Sequence, residues 1–197
     1  MIYRAKTAGD CVLGRQSARQ SGLICMDVLA HALYGATLCS RSGLAGGRRG
    51  NPGGRWYRDI TVLWAVIFGL APDIISMWIP FLIHTLSGKE GIFFVHYDGV
   101  WLELYRIVHS LLISLGVSAV IFLVWRSGFI PSLAWTVHIL CDAVSHDEGK
   151  FQTLLFYPLS DWGIRGIPFW RHLWFTAAYW AVLLALIAGI ILWRKKR

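Results

Sequence analysis

The chain has four cysteines, Cys11, Cys25, Cys39 and Cys141, and no two of them form a CxxC pair or a regular interval. That absence excludes a disulfide framework and a zinc ribbon. Residues 1–25 lack the compact apolar core of a signal peptide. Ser110 adjoins His109 but is not framed by a GxSxG elbow. Adjacent residues on a helix do not face each other, so a serine nucleophile served by that histidine is excluded. No internal repeat is visible, and inverted repeats are the sequence mark of many transporters.

What the chain does contain is apolar length. Of 197 residues, 56% are hydrophobic, and the mean hydropathy is +0.53. One domain of that length is expected, and its apolar runs are long enough to cross a bilayer. Eleven Trp and seven Tyr fit aromatic belts at two membrane interfaces. The net charge of +8 is concentrated in Arg41, Arg48, Arg49, Arg55 and Arg58 before one apolar run, and in Arg194, Lys195, Lys196 and Arg197 after the last. Clusters in those places set topology and meet anionic lipid headgroups, so the basic excess points to a lipid bilayer and not to nucleic acid.

The expected fold is an all-α membrane bundle of four to five transmembrane helices. Residues 1–25 read as a disordered or non-native extension and 26–197 as one membrane-embedded domain, with Met26 a candidate start. A short apolar helix is predicted over 26–40 and a Gly- and Arg-rich linker over 41–58. The second helix runs from Ile60 to Leu86, kinked or broken at Pro72 and Pro80. The third runs from Ile107 to Trp125, the fourth from Ile130 to Ser145, and the fifth from His172 to Trp193. Residues 146–171 read as a long polar and aromatic loop. The Lys and Arg distribution places the C-terminal tail, the 41–58 linker and Arg126 in the cytoplasm, with loops 87–106 and 146–171 outside. The expected location is the plasma (inner) membrane, multi-pass.

Against this background the ionisable residues inside apolar runs stand out. A charge at the bilayer centre costs at least ~2.5–3.5 kcal/mol. Asp73, His109, His138 and Asp142 all lie within or at the end of such runs. His138 and Asp142 are spaced i, i+4 and share a helix face; imidazole plus carboxylate is a common ligand set for zinc. The pair reads equally as a polar couple satisfied inside a bundle. His146 extends the pattern to HxxxDxxxH, but a straight helix would carry it ~12 Å from His138. Either the helix ends near Ser145 and His146 bends back, or His146 serves substrate or supports the ligands. Asp73 follows Pro72, where a broken helix lines a cavity; it reads as ligand, general base or helix cap. His109 reads as a ligand, with Ser110 beside it as a supporting hydroxyl or cap. His31 alone reads as a packed polar residue. His84, His96 and His172 suit interfaces, and Asp161 in the outer loop is either substrate-facing or solvated.

The ordered motifs are Met26-Asp27 with His31, Pro72-Asp73, His109-Ser110-Leu111, His138-x-x-x-Asp142, and Tyr157-Pro158-Leu159-Ser160. Over residues 26–170 this set resembles the family of inner-membrane metal-dependent hydrolases that includes the LexA-regulated inner-membrane protein. The resemblance implies a metal site of His31, Asp73, His109, His138 and Asp142, with Asp73 and Asp142 as catalytic carboxylates and a divalent metal ion, zinc above others, as cofactor. Ile75 stands where the family has a second aspartate, and Leu104 to Val108 replace its His-Arg-Gly lead. Both departures remove ligands and favour one metal over two. The implied substrate is an ester or phosphoester, lipid-linked or amphipathic, met near the outer face, where Ser110, His146 and Asp161 support the site or touch substrate. A proton or metal transporter subunit and a purely structural membrane protein are the alternatives; oligomeric state is left open.

Overall fold

The computed structural model describes residues 28–40, 60–88, 97–169 and 171–195. The extension expected over 1–25, the linker over 41–58 and His96 lie outside the described residues. Among the described residues seven α-helices follow in chain order: α1 (Val28–Leu38), α2 (Ile60–Asp73), α3 (Ile79–Leu86), α4 (Val100–Val108), α5 (Leu111–Val124), α6 (Phe129–Ser145) and α7 (Leu173–Lys195). Among the described residues no strand is formed, and a single antiparallel bridge joins Leu154 to Gly163.

α2 and α3 belong to one continuous apolar run, Ile60–Leu86, of 27 residues. The expected break at Pro72 is absorbed as a wide π-turn over Ile74–Trp78. A π-turn re-aims the helix at the cost of its regular backbone pairing, and such turns are frequent at functional sites. The Ser76 hydroxyl donates to the Pro72 carbonyl at 2.8 Å, and the Tyr97 hydroxyl donates to the Ser76 carbonyl at 2.5 Å. Burial pushes the Tyr97 phenol up from its ordinary value, which keeps that donor protonated. Asp73 is the last residue before the wide turn, where its side chain is buried.

The third predicted helix is corrected. It begins only at Leu111 as α5, and a separate helix, α4 (Val100–Val108), forms mostly within the stretch expected as the loop 87–106; the two are bent by 61° from each other, with the break at His109 and Ser110. Ser110 adopts extended backbone (φ −94°, ψ 134°), which a helix cannot propagate through. The last helix also extends to Lys195, two residues past the expected end.

α6 is the central element. Its buried face runs Pro131, Ser132, Ala134, Trp135, His138, Ile139, Asp142, Ala143 and Ser145, and three of the apolar clusters among the described residues include it. Ala134 packs with Cys39 of α1 and Ala65 of α2. Val137 and Cys141 back the contact of α1 with α7 through Ala30, Tyr34 and Leu183. Trp135, Ile139 and Ala143 join Val108 and Leu155. The close approach of α1 to α6 depends on Gly35, where a Cβ would stand 2.8 Å from the Ala134 Cβ. Three runs, Ile60–Leu86, Arg126–Ser145 and Leu173–Trp193, are long and apolar enough to cross a membrane, or four if the bent α4–α5 pair is one span. The described residues of α1, Val28–Leu38, are fewer than a bilayer-spanning helix requires.

Candidate metal centre

α1, α2 and α6 meet the α4–α5 bend at one polar point. His31, Asp73, His109, His138 and Asp142 all reach it, and all five are buried. Asp142 is the hub. Its Oδ2 lies 3.2 Å from His138 Nε2 and 3.4 Å from His109 Nε2, and its Oδ1 lies 3.4 Å from His31 Nδ1. Asp73 Oδ1 stands 3.5 Å from His109 Nε2 and 3.7 Å from His138 Nε2. Two imidazoles and two carboxylates thus form four close donor-to-donor edges, with His31 completing a fifth.

The backbone decides which ring nitrogens face inward. His138 Nδ1 lies 2.7 Å from the Gly69 carbonyl, and His109 Nδ1 lies 3.1 Å from the Tyr105 carbonyl. A carbonyl only accepts, so in both rings Nδ1 carries the proton and donates it outward. Tyr105 also stacks on His109, centroids 4.0 Å apart. Such outward hydrogen bonds fix tautomer and ring orientation in metal sites.

In a neutral ring, then, Nε2 points a lone pair at carboxylate oxygens. Lone pairs do not satisfy one another. Two arrangements relieve the conflict: each Nε2 gains a second proton and pairs with a carboxylate, or a cation sits between the donors. His138 Nε2, Asp142 Oδ2 and Asp73 Oδ2 are buried without a hydrogen-bond partner among the described residues. Bonds of 2.0–2.2 Å around a tetrahedral ion separate its ligand atoms by about 3.3–3.6 Å, close to the observed 3.2–3.7 Å. His31, Asp73 and His138, and likewise His109, His138 and Asp142, offer ligand atoms within 4.8 Å of one another. The cluster could hold a metal ion.

The remaining expected residues lie around it differently. α6 ends at Ser145, and His146 turns to extended backbone (φ −112°, ψ 143°), which brings its Nδ1 to 3.5 Å from Asp142 Oδ1 and 3.2 Å from the Asp142 carbonyl. Of the two options for HxxxDxxxH, the structure takes the one in which His146 bends back. Ser110 occupies the first position before α5 and makes no side-chain cap bond; its hydroxyl donates to the Leu155 carbonyl at 3.1 Å. Asp161 stands exposed in the loop after α6.

Three contributors had no legible signal. Tyr179 of α7 presents its ring edge to His31, centroids 6.1 Å apart, and Tyr34 donates to the Tyr179 carbonyl at 2.7 Å. The Gly69 and Tyr105 carbonyls are backbone groups that any residue has.

The helices and this cluster together define an all-helical protein with membrane-length segments and a buried His/Asp centre fit for a metal. No family model, curated protein or solved structure matches the chain.

Proposed function

We propose that this protein is an integral-membrane, metal-dependent hydrolase of the plasma (inner) membrane, cleaving an ester or phosphoester of a lipid-linked or amphipathic substrate near the outer face. The observation that carries the reading is the inward aim of His109 and His138 Nε2 onto two aspartates at metal-ligand spacing. The motif order shared with the inner-membrane hydrolase family supports it. In this reading the Ile60–Leu86 run, the α4–α5 pair, α6 and α7 make four crossings, and α1 packs beside them as a fifth, shorter segment.

A single ion, zinc by its ligand chemistry, would be held by members of the set His31, Asp73, His109, His138 and Asp142. Bound there, such an ion supplies a water acidified toward pKa ~7 and polarises the substrate oxygen. The protein's own residues do the rest. Gly69 and Tyr105 hold the two imidazoles at fixed rotation. Asp73 keeps one carboxylate oxygen, Oδ2, clear of hydrogen bonds and can take a proton from a water as general base. Asp142, within 3.2–3.5 Å of four imidazoles, would offset the charge of the ion held there. His146 backs Asp142 through its Nδ1, and Asp161, exposed in the outer loop, would meet a substrate headgroup.

Metal analysis of the purified protein tests this. Near-stoichiometric zinc in the wild type, lost in Asp142→Ala and in His138→Ala, is expected; undiminished metal in both variants overturns the site. Release of a product from ester or phosphoester lipids by the wild type alone then separates an enzyme from a metal-binding scaffold. The proton-filled arrangement favours a second reading, a structural or proton-relay cluster in which two imidazolium rings offset two carboxylates. It expects no bound metal and a fall in stability on substitution.

A further inference from the structure

The chain between α6 and α7 does not leave the bundle as a solvated loop. Leu155 is buried and belongs to the cluster of Val108, Trp135, Ile139 and Ala143. Those α6 positions lie two to ten residues before its end at Ser145, a descent of about 3–15 Å. The Leu155 carbonyl accepts from Leu112 N–H at 3.2 Å and from the Ser110 hydroxyl at 3.1 Å, so it sits on the first turn of α5. The chain returns along the end of α6, where Gly166 N–H donates to the His146 carbonyl and Ile167 N–H to the Val144 carbonyl. Gly166 is required for that seat, since a Cβ there would fall 2.5 Å from the His146 carbonyl oxygen.

Between those anchors, residues 154–163 form a closed hairpin. Leu154 bridges Gly163, and Leu155 N–H donates to the Trp162 carbonyl. The N–H groups of Tyr157, Leu159 and Ser160 bond to Leu154 and Phe156 carbonyls, and Trp162 N–H bonds to the Ser160 hydroxyl. Pro158 has no N–H to satisfy. Five backbone donors of the hairpin are thus met within it, which lowers the cost of approaching a lipid-facing zone. The side chains suit that zone. Phe156 stacks on Trp162 at 5.8 Å, and both are exposed, as is Leu159 at 81%. Asp161 is the hairpin's one charged residue, which limits insertion to headgroup depth.

We propose that hairpin 154–163 is an interfacial anchor in the outer leaflet, with Phe156, Leu159 and Trp162 against lipid acyl chains beside the metal centre. Its occupant is bilayer lipid, because Phe156, Leu159 and Trp162 are exposed apolar side chains on a hairpin whose following residues, Gly166 and Ile167, are tied to the end of α6, the end of a run long and apolar enough to cross a membrane. The inference rests on the membrane topology of the preceding reading and not on its chemistry. It deepens that reading by giving a lipid substrate a lateral approach along the bilayer surface.

The test uses the full chain in phosphatidylcholine nanodiscs. A polarity-sensitive fluorophore is attached at Leu159→Cys, at Trp162→Cys and at Glu148→Cys, an exposed position in the same connection, with the unsubstituted chain as labelling background. Several-fold stronger quenching by nitroxide-labelled lipid than by aqueous iodide at 159 and 162, and the reverse at 148, is the expected result. Iodide quenching at 159 and 162 equal to that at 148 overturns the anchor. Protection from both quenchers also overturns it, since it means that protein covers the hairpin. Metal content, measured on the same samples, is independent of either outcome and reports separately on the centre.

Discussion

Asp142 faces four imidazoles, those of His31, His109, His138 and His146, at 3.2–3.5 Å. Removing its charge leaves those rings facing one another in a buried space, and deleting one member of a buried charge cluster typically costs about 3–5 kcal/mol. Asp142→Asn is therefore expected to lower the unfolding midpoint as much as His138→Ala, checked by thermal unfolding in detergent; a shift no larger than that of a surface variant such as Glu148→Ala contradicts it. Ser110→Ala is a milder case. It removes one hydrogen bond to Leu155 and leaves that of Leu112, and is expected to cost about 1 kcal/mol. It leaves metal content unchanged, because the hydroxyl is occupied away from the centre. Much of the centre was legible at this scale. A carboxylate or imidazole in an apolar run announces itself by its cost, which exposed Asp73, His109, His138 and Asp142. His31 did not announce itself, since one histidine in a short helix is ordinary, and it was placed through the motif order alone.

Among the helices, close approach is set by what is missing from their surfaces. Gly35 of α1 meets Ala134 of α6 with no room for a methyl, and His31 lies one turn before Gly35 on the same helix. Gly35→Ala is expected to push α1 outward at a cost of about 1–3 kcal/mol and to reduce bound metal by displacing His31. Adding Ala134→Gly restores the missing space, so the double variant is expected to recover both stability and metal. Failure of that rescue, read by melting and metal analysis together, would refute the contact as the cause. The spans of α6 and α7 were readable to within one or two residues from apolar length. The bend between α4 and α5 was not, because Val108 and Leu111 continue an apolar pattern through it. What breaks the helix is the extended backbone at Ser110, held by Leu155 from a distant part of the chain. Such a long-range tie leaves no local trace.

For the whole molecule, the centre joins α1, α2, α6 and the α4–α5 bend at one buried point. α7 is largely exposed along its length, as a lipid-facing helix is. An ion that binds only the folded state at a hundred times its dissociation constant stabilises by ~2.7 kcal/mol, or about 5–10 °C for a chain of this size. Chelation is expected to lower the melting midpoint by that order, and zinc to restore it where magnesium, which prefers six oxygen ligands, does not. A midpoint unmoved by chelator, in protein shown to have lost its metal, would remove the ion from the stabilising interactions. The membrane character was plain from composition. The number of crossings was not, because the described residues of α1 fall short of a span and the α4–α5 pair can be counted once or not at all.

The central place of α6 bears on how such a chain is made. α6 brings His138 and Asp142 into the bilayer, and carried in alone it would expose both to hydrocarbon. Ribosomal order spares it that. α1, α2 and the α4–α5 pair, bearing His31, Asp73, the Gly69 carbonyl and His109, are all synthesised first. α6 therefore meets a half-built receptor as it leaves the insertion machinery, and α7 follows to close the side at His31. A circular permutation that placed α6 first would keep every native contact available and still deny this helix its waiting partners during synthesis.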